Sequence, residues 1–178
     1  MTRSKAFLVA VVVLVAVVLG TTASAARLDA KKETQLRSLN HQVATAINGF
    51  RRAHHLPSFH ISPRLGSSAR QHSVEMGADG YFDHPSADGT PYWQRIQSFY
   101  PSAHYTYWTV GENLLFATPN ISASDALKMW IQSPEHLANL ENKNYRDLGV
   151  SSVHVVDAGG VYGGSTVTII TTDFGARH

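Results

Sequence analysis

Tyr105-Thr106-Tyr107-Trp108-Thr109-Val110-Gly111-Glu112-Asn113-Leu114-Leu115-Phe116 is the stretch around which the whole chain can be arranged. Its aromatic and β-branched first half predicts a strand. Gly111 and Asn113 are turn chemistry, so the strand is expected to end there. Leu114, Leu115 and Phe116 follow at once, which carries Glu112 and its neighbour Asn113 into an apolar interior. A buried carboxylate needs partners. Two histidines in similarly awkward places offer them: His84 in Tyr81-Phe82-Asp83-His84-Pro85, and His136 in Trp130-Ile131-Gln132-Ser133-Pro134-Glu135-His136. A glutamate and two histidines from three separate segments suit either a metal site or a hydrogen-bonded polar cluster, because imidazole can donate, accept or ligate.

Outward from that stretch, the start of the chain follows an export pattern. Arg3 and Lys5 give a basic beginning, Ala6 to Leu19 an apolar run, and Ala23-Ser24-Ala25 a small-residue cleavage site, so residues 1–25 are expected to be a signal peptide. Residues 26–178 then form a single domain large enough to bury a core. Removing Arg3 and Lys5 leaves 13 of the 15 basic residues against 13 acidic ones, so the sequence pI near 9.0 does not survive cleavage. Without a Lys/Arg run, phosphate-backbone binding lacks its driving force, and nucleic acid is set aside as a partner. Nor is a stable membrane span expected once the signal has gone. Zero cysteines in an exported chain leave stability to packing and favour a bacterial source.

The rest reads as helices followed by strands. Leu36, Leu39, Val43, Ile47 and Phe50 recur at three and four, with Arg37 and Arg51 elsewhere on the wheel, which predicts an amphipathic helix ending near His54. Ser62-Pro63 supplies an N-cap and first-turn proline for a second helix carrying Leu65, Ala69, His72 and Met76 on one face. His72 there reads as a core histidine bonded to backbone. Short helices follow from Thr90-Pro91, from Ser122-Ala123-Ser124-Asp125, and from Ser133-Pro134, the last placing His136 in its first turn. Leu148–Val156 and Val161–Thr172 predict an antiparallel hairpin. That order argues an α+β fold.

Several motifs fail on context. Asp173-Phe174-Gly175 has no kinase elements before it, Gly163-Gly164-Ser165 lacks nucleophile-elbow spacing, and there is no cysteine nucleophile. What remains is an ordered set: Asn48-Gly49-Phe50-Arg51, Tyr81-Phe82-Asp83-His84, Gly111-Glu112-Asn113-Leu114, Trp130 to His136, Leu148-Gly149-Val150 and Thr172-Asp173-Phe174-Gly175. This set resembles the CAP superfamily of cysteine-rich secretory, antigen 5 and pathogenesis-related proteins, in its cysteine-free bacterial branch. The resemblance implies an α-β-α sandwich with a small antiparallel sheet between helical layers. It also places His84, Glu112 and His136 on three of four cavity residues that hold a divalent metal in the family. Ser133 departs from the pattern, standing where many eukaryotic members carry a second glutamate, and Glu135 replaces a common glycine.

Two imidazoles and one carboxylate can still make a zinc site with an open position, but with one negative charge fewer to offset the cation. The alternative is that Glu112 bridges a histidine and backbone amides without metal. By resemblance, the expected function is a secreted, non-enzymatic binding module. Its cavity, formed by His84, Glu112, His136, Ser133 and Asn113, takes a divalent metal (zinc or magnesium) or a small lipid-like or cell-envelope ligand. The competing expectation is a metal-dependent hydrolase using His84, Glu112 and His136.

Overall fold

A computed structural model of the chain describes residues 36–178. The expected signal peptide lies outside the described residues. Helix α1 covers 36–53, followed by strand β1 (His60–Ile61), helix α2 (Pro63–Asp79), helix α3 (Tyr92–Phe99) and strand β2 (Trp108–Ala117). Helices α4 (Ala123–Gln132) and α5 (Pro134–Glu141) come next, then strands β3 (Asp147–Ala158) and β4 (Ser165–Arg177) with a single 3-10 turn at Gly160–Tyr162 between them.

The helix starts follow from local chemistry. Ser62 caps α2 by accepting from the Leu65 N–H at 3.4 Å, Pro63 opens its first turn, and Gly80 closes it in the left-handed region at φ 71°. Ser122 caps α4 through the Asp125 N–H at 3.2 Å. Ser133 ends α4 and starts α5 by backbone alone, its hydroxyl making no capping bond.

Strands pair in the order β1-β3-β4-β2. The long pairs β3–β4 and β2–β4 are antiparallel, as the hairpin pattern predicts, while the two-residue β1 runs parallel to β3. The sheet is therefore mixed rather than purely antiparallel. Side-chain alternation sends neighbouring residues to opposite faces. On one face Leu114 and Ile169 pack with Met76 of α2, and Val110 packs with Leu65, Ile96 and Tyr100. On the other, Leu115 and Ile170 meet Val43 and Ile47 of α1, Ala126 and Trp130 of α4, and Leu140 of α5. The result is the expected α-β-α sandwich: α2 and α3 on one side, α1, α4 and α5 on the other.

Two sequence expectations are corrected here. Gly111-Glu112-Asn113 is not a turn after a strand: β2 runs through it and pairs with β4 at every residue from Trp108↔Arg177 to Ala117↔Thr168. Gly111 is small for another reason, since a Cβ there would lie 2.9 Å from Asn139 Oδ1 and collide with the Tyr145 hydroxyl. Arg51, placed on the solvent side of its helix by periodicity, is fully buried. Its guanidinium donates to the carbonyls of Pro57, Leu140 and Asn142 and lies 3.8 Å over the Phe59 ring, tying α1 to α5.

Candidate functional site

Glu112 sits in the middle of β2 on the α2–α3 face, with no solvent-exposed side-chain area. Both carboxylate oxygens are engaged. His84 Nδ1–H donates to Oε1 at 2.8 Å, and Arg95 Nη2 of α3 donates to Oε2. Arg95 is itself buried, and its Nη1 reaches the His84 carbonyl at 3.0 Å and Ser86 Oγ at 3.1 Å. One guanidinium thus fixes both the carboxylate and the loop that carries His84. His72 Nε2 lies 4.0 Å from Oε1 and donates to the Asp83 carbonyl at 2.9 Å, the backbone bond that its sequence context predicts.

His84 remains partly exposed, at 44 % of its side chain, and stacks obliquely beside Tyr92 at 5.9 Å between centroids. The hydrogen bond to Glu112 holds its pKa above the usual imidazole value. His136, in the first turn of α5, is shifted the opposite way by partial burial and by the His84 charge. The structure therefore brings His84 and Glu112 into contact and leaves His136 within electrostatic reach of His84. Asn113 points to the opposite face from Glu112. Its Nδ2 donates to the His136 carbonyl at 3.0 Å, and its Oδ1 accepts from Asn139 at 2.8 Å, which positions the start of α5 against β2.

Asp173, set aside with its kinase-like tripeptide, belongs to this cluster: it pairs with Glu112 across the β2–β4 ladder and is fully buried. Ser68 and Glu112 are its polar neighbours, but no donor satisfies either oxygen at hydrogen-bonding geometry. Burial and the Glu112 charge push its pKa well above the normal carboxylate value, so the fold favours its protonated form. The unfolded chain releases that proton near its ordinary pKa. Stability therefore falls as pH rises above about 4 towards the folded pKa. Asp173→Asn removes the ionisable group and is expected to raise stability at pH 7 relative to wild type. Urea melts from pH 4.5 to 8 should show the gain widening with pH; a constant loss at every pH would show that Asp173 is ionised in the fold.

As arranged, the donor set fits a divalent cation poorly. Glu112 has no free oxygen, a guanidinium already neutralises it, and Ser133 contributes no charge. Among the described residues no three His, Asp or Glu side chains stand in metal-ligating positions.

Sequence reasoning missed Arg95 and Asp173. Arg95 shares the buried face of α3 with Ile96, and Asp173 interrupts an otherwise buried strand, so each carried a signal.

The fold, with its polar cluster between sheet and α2–α3 layer, has known counterparts. Residues 44–169 match the cysteine-rich secretory protein (CAP) family. The chain belongs to the CAP family. It is 32% identical over 113 residues to the uncharacterized protein YkwD of Bacillus subtilis, covering 63% of this chain and 41% of that protein. Among solved structures it is similar to an extracellular protein containing an SCP domain from Bacillus anthracis, at 26% identity and a TM-score of 0.62, over 81% of this chain and 42% of that one. An outer surface protein of Borrelia burgdorferi shares the fold at 19% identity and a TM-score of 0.57, over 76% of this chain and 90% of that one. The chain thus spans about two fifths of the two Bacillus relatives. No helix among the described residues is long and apolar enough to cross a membrane.

Proposed function

We propose that this CAP domain is an exported, non-enzymatic binding module whose cavity is rimmed by His84 and His136 and floored by Glu112. The observation that carries this is the closed state of Glu112, whose two oxygens are occupied by Arg95 and His84. A carboxylate with a donor on each oxygen and no solvent-exposed side-chain area offers a water no open approach and makes a poor general base. The export reading is supported by the extracellular description of the Bacillus anthracis protein and by the N-terminal sequence pattern. The ligand is a lipid-like or cell-envelope molecule, with a divalent metal such as zinc or magnesium as a weak second occupant.

Zinc titration at neutral pH into wild type, His84→Ala and Ser133→Glu tests the cavity. Wild type is expected to bind weakly and His84→Ala not at all. Ser133→Glu restores a second carboxylate and should bind at least ten-fold tighter, a gain of about 1.4 kcal/mol. If Ser133→Glu instead melts lower and binds no zinc, the metal part of the reading falls. Hydrolysis of ester or peptide substrates by the zinc-loaded wild type, lost in His84→Ala, would replace the binding module with the hydrolase alternative.

A further inference from the structure

Helices α2 and α3 and the loop after His84 enclose a cavity of about 280 Å³ whose lining residues are all polar. His84, Glu112 and His136 are not among them, so it is separate from the cavity described above. Ligand pockets are ordinarily larger and mostly apolar, and a cavity of this size and lining suits a small, strongly polar molecule.

Charges of both signs meet there. Glu75 and Asp88 supply two carboxylates, brought together because Glu75 Oε1 accepts from the N–H of Ala87, the residue before Asp88, at 3.3 Å. Glu75 also accepts from the Tyr81 hydroxyl at 2.9 Å, and Asp88 from the Thr90 N–H at 2.8 Å. Burial opposes the Glu75 charge, but its hydrogen bonds prevail and hold its pKa below the usual carboxylate value; the Thr90 bonds do the same for Asp88. The positive partner is Arg95. Its Nη1 and Nη2 are committed to the His84 carbonyl, Ser86 and Glu112, whereas its Nε–H is buried without an acceptor. A buried donor left so costs stability until an oxygen reaches it. Gln94, exposed on the same wall, adds an amide that can donate or accept.

A divalent cation does not fit, because a guanidinium lines the cavity and no three His, Asp or Glu side chains among the described residues could ligate it. A simple anion would face two carboxylates. We propose that this cavity binds a free, polar α-amino acid, its ammonium held by Glu75 and Asp88 and its carboxylate by Arg95 and Gln94. Only the α-carbon separates the two charges of such a ligand, which matches opposite charges gathered in so small a space. A residue at a peptide end keeps just one of them. The inference goes beyond the His84 cavity and stands whether or not that cavity binds metal.

The test titrates L-serine, L-glutamine and L-leucine into the full chain by calorimetry, followed by the amide and N-acetyl derivatives of the tightest. Serine or glutamine should bind. Leucine, which meets no apolar wall, should bind at least ten-fold more weakly, as should the amide, which lacks the carboxylate, and the N-acetyl derivative, which lacks the ammonium. Asp88→Lys and Gln94→Glu put the wrong charge beside each end of the ligand and should each weaken binding at least ten-fold. Both positions are exposed, so thermal melts close to wild type are expected and confirm that the variants fold. No binding of serine or glutamine, equal binding of either derivative, or unchanged binding in Asp88→Lys and Gln94→Glu overturns the inference. Loss of binding in His84→Ala with retention in those two variants also overturns it, by moving the ligand to the His84 cavity.

Discussion

Arg95→Met is expected to lower the free energy of unfolding by about 3–5 kcal/mol, the usual cost of removing one partner from a buried ion pair. In a domain of this size that is a fall in Tm of roughly 10 °C or more. The loss exceeds that of a surface pair because neither side chain sees solvent: Arg95 has 2 % of its side chain exposed and Glu112 none. Without the guanidinium, Glu112 keeps only the His84 imidazole, and the carbonyl of His84 and the hydroxyl of Ser86 lose their donor as well. Replacing both charges, as Arg95→Met with Glu112→Met, should recover a substantial part of the loss, since an apolar pair leaves no charge buried alone. Urea denaturation of wild type, both single variants and the double variant closes the cycle. A cost below about 1 kcal/mol for Arg95→Met would put the pair in the class of screened surface bridges and show that it does not organise the site.

That cluster also marks where the sequence was informative and where it was not. Periodicity and caps located α1 to α5 because Ser62-Pro63, Ser122 and Ser133-Pro134 act within one turn of themselves, where local chemistry settles the outcome. Gly111 misled because glycine has two uses, freedom in turns and room for close approach, and only the position of Tyr145 and Asn139 across the sheet edge distinguishes them. β1 was invisible: His60-Ile61 is a strand only because Asp147 and Leu148 lie beside it. Arg51 and Arg95 share a deeper difficulty. A buried arginine is tolerated when acceptors meet most of its donors, as they do for all but Nη2 of Arg51 and Nε of Arg95, and those acceptors, such as Leu140 for Arg51 and Glu112 for Arg95, come from elsewhere in the chain. Glu112 was recognisable as needing a partner because its apolar neighbours Leu114, Leu115 and Phe116 denied it water, whereas His84 keeps 44 % of its side chain exposed.

Gly149→Ala is expected to cost about 3 kcal/mol or more, at the top of the range for overpacking. β3 passes so close beneath the start of α2 that a Cβ at position 149 would lie 2.5 Å from Leu65 Cβ and overlap the Leu65 carbonyl carbon and Gly66 nitrogen. A flexible side chain could rotate away; a helix backbone cannot. α2 would have to lift from the sheet, and it carries Ser68 and His72, which pack beside Asp173 and Glu112. The same displacement therefore opens the polar cluster and adds its cost to that of the lost Leu65 packing. Gly66→Ala provides the opposing control: nothing lies within 4 Å of its Cβ position, and alanine in a helix gains up to about 1 kcal/mol over glycine. The two methyl groups sit one turn of contact apart, yet one should destabilise and the other stabilise. Calorimetric melts of both variants decide the matter: losses of similar size would mean that α2 does not rest on β3 at Gly149, and the seating of the Glu112 cluster beneath it would have to be redrawn.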